Sequence, residues 1–558
     1  MDAAVDRKPW LKSYPAGVPA DMPPLEFDSL PQMLEASVAR FRDHIAFESF
    51  GVGLSYKDLD RLSRDFAAYL QGSLGLSKGD RVAVMMPNIL QYPIAVFGIL
   101  RAGLTVVNVN PLYTARELGY QLKDSGASAI VIFEGAAHAL QEALVHAPLQ
   151  RVIVASIGDL LGLVKGAVVN FVLRSVKKMV KPWSIPAAER FPEALKQGAG
   201  RSLRAPPLKG DDLAFLQYTG GTTGVSKGAM LYHRHILAAI QQIRAYYGDR
   251  FQDGREVAIA PLPFYHILAL VLNCMMGVRG GSKQVLIANP RDIRSLVKTM
   301  SGGFTFFVGV NTLFNALVNN AEFAKLDFSR LRITGGGGAP VQVAVAKRWK
   351  EMTGCVLSEG YGLTETSGPV SANPPGIAEH TGTTGLPIPG TEVEIRDEVE
   401  RALPQGAVGQ VFVRGPQVMA GYWQRPDETA KVLRSDGWLA TGDMGLITPL
   451  GQLKIVDRVK DLILVSGFNV YPNELEEVMA GHPGILESCA IGVPDEQSGE
   501  AVKLFVVRKD PNLTKEQVIA YCRENLTSYK IPKHVEFRDA LPKSPVGKIL
   551  RRELRQTA

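Results

Sequence analysis

Residues 218–228 read YTGGTTGVSKG, and the interpretation of the whole chain depends on this stretch. Its eleven residues contain four glycines, four Ser or Thr hydroxyls and one lysine, Lys227. Glycines allow successive backbone N–H groups to point into one concavity and allow a phosphate to approach closely. The hydroxyls add hydrogen-bond donors, and Lys227 adds a positive charge. The stretch therefore predicts a phosphate-binding loop.

The residues on either side of the loop support this interpretation. The apolar run at 213–216 predicts a strand before it, and the spacing of apolar residues over 230–243 predicts a helix after it. A strand, a glycine-rich loop and a helix N-terminus together form a cradle for phosphate. A Walker A loop is excluded, because that motif needs a Gly-Lys pair before Ser or Thr, whereas Gly228 here follows Lys227. A flexible surface loop is the alternative, and the paired threonines and the lysine favour phosphate binding.

The loop resembles that of the acyl-adenylate-forming enzymes, which include acyl-CoA synthetases, luciferases and the adenylation domains of peptide synthetases. Further stretches resemble motifs of this family and follow in the family's order between about residues 54 and 552: ITGGGGAP (333–340), SEGYGLTETSG (358–368), TGTTGLPIPG (381–390), GWLATGDMG (437–445), DRVKD (457–461) and PKSPVGK (542–548). The TGTTGLPIPG stretch is similar to the version found in bacterial long-chain fatty-acid–CoA ligases. The resemblance covers nearly the whole chain.

The resemblance implies an α/β fold with two domains of unequal size. The large N-terminal domain, residues 1–457, would combine layered α/β subdomains with a small β-barrel-like subdomain. Residues 458–461 would form a hinge, and residues 462–558 a small, mobile α+β domain. The chain itself agrees, because 558 residues are too many for one core. The alternation of Val/Ile-rich runs with helical patterns over 30–150 also predicts mostly parallel strands.

A nucleotide site is implied by the same motifs. Tyr361 would stack on adenine, Asp443 would accept both ribose hydroxyls with Arg458 as a second contact, and Thr364 would bind the α-phosphate. The full set of implied ATP and AMP contacts is Thr219, Gly220, Gly221, Thr222, Thr223, Gly224, Lys227, Gly337, Gly338, Ala339, Pro340, Glu359, Gly360, Tyr361, Gly362, Thr364, Asp443, Arg458 and Lys548.

The family pattern also assigns the groups that would carry the chemistry. Lys548, in the frame Pro-x4-Gly-Lys, would act in catalysis together with Thr364 and Glu365. Glu365 would hold Mg²⁺ near Thr219, and a hard carboxylate oxygen suits that ion. The remaining implied roles are the hinge at Lys460, the acyl pocket at His266 in PLPFYH (261–266), and CoA contacts at Gly467 and Phe468.

The implied activity is a two-step ligation. A fatty acid reacts with ATP to give acyl-AMP and pyrophosphate, and CoA then displaces AMP to give acyl-CoA, as in fatty-acid uptake and degradation. The alternatives are an acyl-AMP ligase that loads a carrier protein, a ligase for aryl or other carboxylates, a luciferase-like oxygenase, and a non-catalytic nucleotide sensor. A peptide-synthetase module is disfavoured, because such a module continues into a carrier domain.

Composition limits the class of protein and its compartment. The formal net charge of +7 suits anionic ligands such as nucleotides, CoA or an acidic membrane surface. The four cysteines are scattered, which disfavours a zinc site and a disulfide framework and favours a reducing cytoplasm. The sequence shows no signal peptide and no recognised nucleic-acid-binding motif. It leaves open whether the chain forms a homodimer.

Two segments raise the question of a membrane. The uncharged run 257–278 is interrupted by prolines and polar residues and predicts a buried strand, a turn and a core helix. Residues 158–183 predict an amphipathic helix, with Leu161, Val168, Val172, Val176 and Met179 on one side and Arg174, Lys177, Lys178 and Lys181 on the other. Residues 160–181 would either lie on an anionic membrane, at the cytoplasmic face of the inner membrane, or pack on the domain with a solvated basic face. The two interpretations are equally supported. Residues 183–212 read as a connector.

Overall fold

The structure is a computed structural model that describes residues 7–149, 151–186, 188–219, 226–544 and 547–557. The predicted loop contacts Gly220, Gly221, Thr222, Thr223 and Gly224 lie outside the described residues. Among the described residues, no helix is both long and apolar enough to cross a bilayer.

The strands of the described residues are numbered in chain order. They are β1 (Ile45–Ser49), β2 (Val52–Ser55), β3 (Arg81–Met85), β4 (Thr105–Asn108), β5 (Ala129–Phe133), β6 (Val152–Ala155), β7 (Ala188–Arg190), β8 (Leu213–Thr219), β9 (Lys227–Tyr232), β10 (Val257–Ala260), β11 (Lys283–Leu286), β12 (Phe306–Gly309), β13 (Ile333–Gly336), β14 (Leu357–Leu363), β15 (Gly368–Ala372), β16 (Leu386–Pro387), β17 (Glu392–Arg396), β18 (Gly409–Arg414), β19 (Leu439–Ile447), β20 (Leu453–Arg458), β21 (Ile463–Val465), β22 (Phe468–Val470), β23 (Ile485–Asp495), β24 (Gly499–Arg508) and β25 (His534–Arg538).

The α-helices of the same residues cover the sheets. They are α1 (Leu30–Phe41), α2 (Tyr56–Gly72), α3 (Gln91–Arg101), α4 (Ala115–Ser125), α5 (Ala137–Ala143), α6 (Leu163–Phe171), α7 (Phe191–Ala199), α8 (His233–Tyr247), α9 (Ile267–Ala269), α10 (Met276–Arg279), α11 (Ile293–Met300), α12 (Asn311–Val318), α13 (Val343–Thr353), α14 (Pro426–Val432), α15 (Pro472–Ala480), α16 (Lys515–Asn525) and α17 (Arg551–Gln556). Two π-helical turns, Val172–Val176 and Leu270–Met275, follow α6 and α9 directly.

Two large sheets form the N-terminal domain. One has seven strands in the order β7-β6-β5-β3-β4-β8-β9, and the other has nine in the order β16-β15-β14-β13-β12-β10-β11-β1-β2. The inner strands of both sheets are parallel. Strands such as β4 and β12 are buried along their whole length, as expected where helices cover both faces. One hydrophobic cluster, from Trp10 to Leu453, joins the two sheets.

Two smaller sheets complete the chain. Strands β17 to β20 form an antiparallel four-stranded sheet in sequence order. The C-terminal domain has the order β22-β21-β24-β23, with β25 parallel to β24, and it buries its own cluster from Ile463 to Val535. Because the large cluster ends at Leu453 and this one begins at Ile463, each domain has a separate core. The predicted α/β architecture, with a large N-terminal and a small C-terminal domain, is confirmed.

The structure corrects the predicted context of the phosphate loop. The helix predicted over 230–243 is present as α8, but it begins only at His233, and β9, which pairs antiparallel with β8, lies between the loop and this helix. The residues of β9 alternate between more and less buried positions, which suits a strand. No helix N-terminus therefore lies at the described end of the loop.

Two other predictions about local structure have different outcomes. The prediction of a connector at 183–212 is wrong in part, because β7 and α7 lie within this segment. Phe191 and Leu195 of α7 are buried. Pro192 lies in the first turn of α7, where proline is tolerated. The run 257–278 forms β10 followed by a largely buried helical segment, as predicted.

The orientation of the amphipathic segment at 158–183 distinguishes between the two predicted arrangements. Leu161 is buried just before α6, but Val168, Val176 and Met179 are exposed. Arg174 does not lie on a purely solvated basic face, because its guanidinium pairs with the buried carboxylate of Glu134 at 2.8 Å. The prediction that the apolar side packs on the domain is therefore wrong, because that side faces outward.

Candidate active site

The described ends of the phosphate loop are held by the β8–β9 hairpin. Thr219 is opposite Lys227 in the antiparallel register, and Ser226 Oγ donates to the Thr219 carbonyl at 2.5 Å. Gly228 permits the Tyr218 ring to lie against its backbone, since a Cβ on Gly228 would meet Tyr218 Cε2 at 3.0 Å. The hairpin thus brings the two ends of the loop together.

Lys227 lies between an acid and an aromatic ring. Its ammonium pairs with Glu428 at the start of α14, and Nζ is 4.9 Å from the centroid of the Tyr422 ring. Glu428 also pairs with Lys431 at 2.5 Å, and hydrogen bonds from the two lysines lower the pKa of its carboxyl. In this state the charge of Lys227 is balanced by a carboxylate of the protein.

Thr364 and Glu365 lie in a 3₁₀ turn, Thr364–Thr366, that follows β14. The turn is tied down by the Met419 N–H, which donates to the Glu365 carbonyl at 2.8 Å. Glu365 Oε1 accepts a hydrogen bond from the Tyr422 hydroxyl at 2.7 Å. The turn is adjacent to β8 and β9, so Glu365 and Thr219 belong to the same region of the molecule.

The glycine-rich stretch after β13 forms another wall of the site. Gly337 N–H donates to the Gly309 carbonyl at 3.3 Å, and Gly338 adopts a φ of +78°, which favours glycine. Ala339 is partly exposed and Pro340 is exposed. The stretch therefore presents backbone rather than bulky side chains.

The Glu359 side chain stabilises the glycine-rich stretch after β13. Its carboxylate is buried, accepts the Val341 N–H at 3.2 Å, and lies 3.2 Å from His380 Nε2. Burial raises the pKa of Glu359, and the His380 contact opposes that effect. The side chain predicted to bind nucleotide is thus directed at the loop that follows Gly338.

Gly360 and Gly362 lie in β14, where it pairs with β15. A Cβ on Gly362 would be 1.8 Å from the Gly368 carbonyl oxygen, and one on Gly360 would be 3.1 Å from the Ser371 carbonyl oxygen. The glycines in SEGYGLTETSG are therefore required by the close approach of β15.

Asp443 is the centre of a polar cluster predicted to bind ribose. It is buried and lies directly opposite Arg458 in the β19–β20 register. Its Oδ1 is 3.1 Å from Arg458 Nε, and its Oδ2 accepts a hydrogen bond from the Tyr361 hydroxyl at 2.6 Å. Burial, together with the Asp443 charge, raises the pKa of Tyr361 well above its usual value, so this hydroxyl stays protonated.

Lys548 reaches this cluster from the C-terminal domain. It lies in a tight loop in which Ser544 N–H donates to the Lys548 carbonyl at 2.7 Å and Lys548 N–H donates to Ser544 Oγ at 3.1 Å. Thr312 Oγ1 of the large domain donates to the Gly547 carbonyl at 3.1 Å. A Cβ on Gly338 would meet Lys548 Cε at 3.5 Å, which places the lysine stem against the glycine-rich wall.

The charge on Lys548 is disfavoured by its surroundings. Burial and the charge of Arg458 lower the pKa of Lys548 to about 8, although Asp443 and Glu365 act in the opposite direction. Burial and the Lys548 charge likewise lower the pKa of His266 to about 3, so its ring is neutral at physiological pH. The structure thus places His266, Asp443 and Glu365 within electrostatic range of Lys548.

Lys460 borders the same cluster, whereas the predicted CoA residues do not contact it in this arrangement. Lys460 lies in a 3₁₀ turn, Val459–Asp461, and burial together with Arg458 lowers the pKa of Lys460 to about 8. Gly467 is in a tight turn with a φ of +84°. Phe468 is 57% exposed and stacks on Tyr529 of its own domain, with ring centroids 4.9 Å apart.

Sequence reasoning missed several residues around the phosphate loop. Asp124, Tyr120 and Arg425 form a cluster beside the loop, and Tyr422 and Glu428 contact its neighbours. These residues come from segments more than 90 positions away in sequence. Only the density of charged and aromatic residues in GYWQRPDE (421–428) is a signal, and it does not say which partners these residues have.

The donor set fits Mg²⁺ better than a transition metal. Among the described residues, no group of three or more His, Cys, Asp or Glu side chains could hold a metal ion. Mg²⁺ is typically bound by one or two carboxylates, water and substrate phosphates, which is what Glu365 and a phosphate loop would provide. The cysteines are unpaired, and three of them are buried.

The glycine-rich stretch around Gly338, the buried carboxylate of Asp443 and Lys548 of the C-terminal domain thus lie together. The family model described as AMP-binding enzyme matches residues 34–423, and the model described as AMP-binding enzyme C-terminal domain matches residues 474–548. Because the first match alone spans more than half of the chain, the protein belongs to the AMP-binding enzyme family.

Individual relatives resemble the chain over nearly its whole length. It is 55% identical to a long-chain-fatty-acid–CoA ligase of Escherichia coli O6:H1, with 99% of this chain and 98% of the relative covered. It is 38% identical to the protein of the same name from Bacillus subtilis strain 168, with 98% of each covered. Among solved structures, ATP-bound MatB from Rhodopseudomonas palustris aligns with a TM-score of 0.81 at 28% identity, covering 95% of this chain and 99% of that one.

Proposed function

We propose that this protein is an ATP-dependent long-chain fatty-acid–CoA ligase that forms acyl-CoA, AMP and pyrophosphate. The observation that carries the proposal is the position of Lys548, which reaches from the C-terminal domain to Gly338 and lies within range of Asp443 and Glu365. The 55% identity to a ligase of that name supports the fatty acid as the substrate.

The proposed nucleotide position follows from the walls of the cleft. Adenine would lie between Tyr361 and the backbone of 337–340. Gly360 and Gly362 of β14 would leave space there, because glycine has no side chain. The ribose hydroxyls would bind Asp443 and Arg458, which already form an ion pair. The phosphates would face Thr364 and the phosphate loop, including residues 220–224, whose glycines suit a polyanion.

Mg²⁺ would be held by Glu365, with Thr219 nearby. Glu365 fits because Tyr422 orients its carboxylate through one oxygen, and a carboxylate can accept further bonds. The ion would neutralise the triphosphate during phosphoryl chemistry.

In the first half-reaction, a carboxylate oxygen of the fatty acid attacks the α-phosphorus of ATP, and the bond from that phosphorus to the bridging oxygen of pyrophosphate breaks. No protein nucleophile is required, because the carboxylate is already one. The protein must instead offset repulsion between anions. Lys548 would do so between the acyl carboxylate and the α-phosphate, and Lys227 at the departing phosphates. Neutral His266 would form the wall of the acyl pocket.

In the second half-reaction, the CoA thiol loses its proton and attacks the acyl carbonyl, and the bond to AMP breaks. Lys548 occupies the cleft in the structure, so CoA needs a different domain arrangement. We infer a rotation about residues 458–461 that removes Lys548 and presents Gly467 and Phe468 to CoA. The domains would then be 1–457 and 462–558, joined by this hinge.

The function is tested with a panel of carboxylic acids from C2 to C18 together with aryl acids, each incubated with ATP, Mg²⁺ and CoA. AMP release and thioester are measured separately. Efficient thioester formation from long-chain acids supports the proposal. Acyl-AMP without thioester would point to an acyl-AMP ligase, and a preference for aryl acids would overturn the fatty-acid substrate.

We further propose that residues 160–181 contact an anionic membrane. The inner side of α6 is anchored: Asn170 Oδ1 accepts the Gly158 N–H at 2.9 Å, and a Cβ on Gly166 would be 2.3 Å from the Gly158 carbonyl oxygen. The Arg174–Glu134 pair continues this anchor into the π-helical turn.

The outer side of the same segment is apolar and flanked by cations. Leu163 is 94% exposed and Phe171 is 62% exposed, and Val164, Val168, Val176 and Met179 are exposed as well. Lys177, Lys178 and Lys181 are exposed, and no acidic residue occurs between Asp159 and Glu189. An apolar face with neighbouring lysines matches an anionic bilayer, since its acyl boundary accepts the apolar groups and its headgroups attract the lysines.

Sedimentation with vesicles tests the membrane proposal. The protein is expected to pellet with vesicles containing phosphatidylglycerol, to pellet less with neutral vesicles, and to be released by salt. Phe171→Ser and the triple variant Lys177→Gln/Lys178→Gln/Lys181→Gln should each lose pelleting. The matched control Lys298→Gln/Lys347→Gln/Lys515→Gln changes exposed lysines elsewhere and should pellet as the parent does. Equal pelleting of all variants would refute the contact.

A further inference from the structure

Asp124 occupies a position that a carboxylate does not favour by itself. It lies in the last turn of α4, which ends at Ser125, so its charge is at the negative end of the helix dipole. Its side chain is only 6% exposed, and burial adds a desolvation cost. Neighbouring groups must therefore offset both effects.

Three side chains surround the Asp124 carboxylate. The Tyr218 hydroxyl donates to Oδ2 at 2.7 Å, the Tyr120 hydroxyl is 3.2 Å from Oδ1, and the Arg425 guanidinium pairs with Oδ1. Burial and the Asp124 hydrogen bond raise the pKa of Tyr218, so its hydroxyl remains a donor. The carboxylate is thus satisfied by two tyrosines and one arginine.

These partners lie at both ends of the phosphate loop. Tyr218 directly precedes Thr219 at the first end. At the other end, the Tyr120 hydroxyl is 3.1 Å from the Ser226 carbonyl oxygen, so it shares its one proton between Ser226 and Asp124. One carboxylate therefore connects β8, which precedes the loop, with Ser226 at the other end of the loop.

Arg425 extends the connection towards Glu365. It belongs to the segment after β18 whose Trp423 N–H donates to the Gly228 carbonyl at 2.8 Å. Tyr422 of the same segment donates to Glu365 Oε1 at 2.7 Å. Displacement of Arg425 would be transmitted to the carboxylate that is proposed to hold the metal.

We infer that Asp124 is a positioning residue for the adenylation half-reaction, holding both ends of the phosphate loop and the Tyr422 segment in one geometry. Asp124 touches neither the nucleotide nor the acid. The inference rests on the proposed function, because it concerns the alignment of ATP in that reaction. A small misplacement of reacting groups costs about 100-fold in rate. The second half-reaction uses no triphosphate and is not expected to depend on Asp124.

The test compares the two half-reactions in Asp124→Ala, Asp124→Asn and Tyr218→Phe. Acid-dependent exchange between ATP and pyrophosphate reports the first, and thioester formation from supplied acyl-AMP and CoA reports the second. For Asp124→Ala we expect kcat/KM for ATP to fall about 100-fold, with the second half-reaction within about twofold of the parent. Tyr218→Phe should fall by about tenfold and add little to Asp124→Ala in the double variant, because its hydroxyl has then lost its acceptor.

Glu256→Gln is the matched control. Glu256 is also a nearly buried carboxylate paired with an arginine, Arg332, and it accepts a hydrogen bond from Thr305 at 2.5 Å, but it lies away from the loop. It should lower Tm to a similar extent while leaving the ratio of the two half-reactions unchanged. If Asp124→Ala is insoluble, Asp124→Asn and Tyr218→Phe decide by the same ratio.

The outcomes separate the inference from the proposed function. Equal loss in both half-reactions, unchanged exchange, or losses that follow Tm as in Glu256→Gln would overturn the positioning role. If the parent forms acyl-AMP but no acyl-CoA, the proposed function fails. The exchange rates of the Asp124 variants relative to Glu256→Gln then still decide the inference.

Discussion

Lys548 of the C-terminal domain packs its side chain against the backbone of Gly338 in the large domain. A methyl group at Gly338 would come within 3.5 Å of Lys548 Cε. The contact closes the cleft over the cluster of Asp443, Arg458 and Tyr361, with Thr312 binding Gly547 beside it. This is the arrangement expected for the first half-reaction, and five predictions follow from it and its surroundings.

Lys548→Ala should lose adenylation about 1000-fold, in line with removal of a charge that faces developing negative charge. Conversion of supplied acyl-AMP and CoA to thioester should persist, since Lys548 must leave the cleft for that step. The measurement is pyrophosphate release and thioester formation in separate assays. Pyrophosphate release at the parental rate in the variant would show that Lys548 does not act in adenylation.

Adenylation should lose efficiency as the pH rises through about 8. The pKa of Lys548 is lowered to about 8 by burial and Arg458, so the ammonium is present below that pH and is lost above it. The profile of kcat/KM for ATP reports the free enzyme and should show this limb.

Two variants test whether the titration of Lys548 causes this fall in kcat/KM for ATP at high pH. Lys548→Arg keeps its charge at all accessible pH values. Its adenylation should be slower than that of the parent, but its kcat/KM for ATP should not change between about pH 7 and about pH 10. Lys460, whose pKa is also lowered to about 8, is the control, and Lys460→Ala should retain the limb. An unchanged limb in Lys548→Arg would assign it to another group.

Gly547→Ala should selectively impair adenylation. Gly547 has a φ of +81°, and a Cβ there would be 2.6 Å from Thr312 Oγ1, so the loop that carries Lys548 must shift. Gly406 has nearly the same φ, +83°, with open space around it. Both substitutions should cost roughly 1 kcal/mol of stability from backbone strain, but only Gly547→Ala should slow adenylation, by about tenfold or more. Similar activity of the two variants would contradict the steric argument.

Glu428→Gln should strengthen ATP binding. Glu428 balances the charge of Lys227, and phosphates must compete with it for that lysine. The ion pair is exposed and screened by solvent, so KM for ATP should fall by only about two- to fivefold, most clearly at low salt. Glu322→Gln is the control, because Glu322 pairs with Lys325 at i,i+3 on the surface, as Glu428 does with Lys431. A higher KM in Glu428→Gln would show that Glu428 instead orients Lys227 for ATP.

Lys460→Pro should separate the half-reactions at the hinge. Proline fixes φ near −65° and restricts Val459 before it, so the turn can no longer change its backbone angles. Acyl-AMP should still form, whereas thioester formation from supplied acyl-AMP should fall steeply. Lys460→Ala removes the charge and keeps rotation free, so it should affect the second step far less. Thioester formation at the parental rate in Lys460→Pro would exclude Lys460 as the pivot.

Local sequence patterns predicted the elements that depend on near neighbours. The strand and core helix predicted within 257–278, and Val/Ile-rich strands such as β5 predicted within 30–150, are present, because an apolar run and the residues that end it lie within a few positions of one another. The class of protein was also accessible, since the glycine-rich motifs occur in order along the chain. The orientation of α6 was not, because an apolar stripe looks the same whether it faces a core or the outside.

The sequence by itself determined which residues are proposed for the reaction: Lys548, Asp443, Glu365 and the glycines of the two glycine-rich stretches. Only the tertiary structure decided what holds them. The helix expected directly after the phosphate loop begins only at His233, because the residues before it pair with β8 as strand β9. Asp124, Arg425 and Glu428 reach the loop from distant segments, and their local sequence contains no sign of it. Burial and charge at such positions are sums over the whole fold, which is why neither can be read from a single stretch of chain.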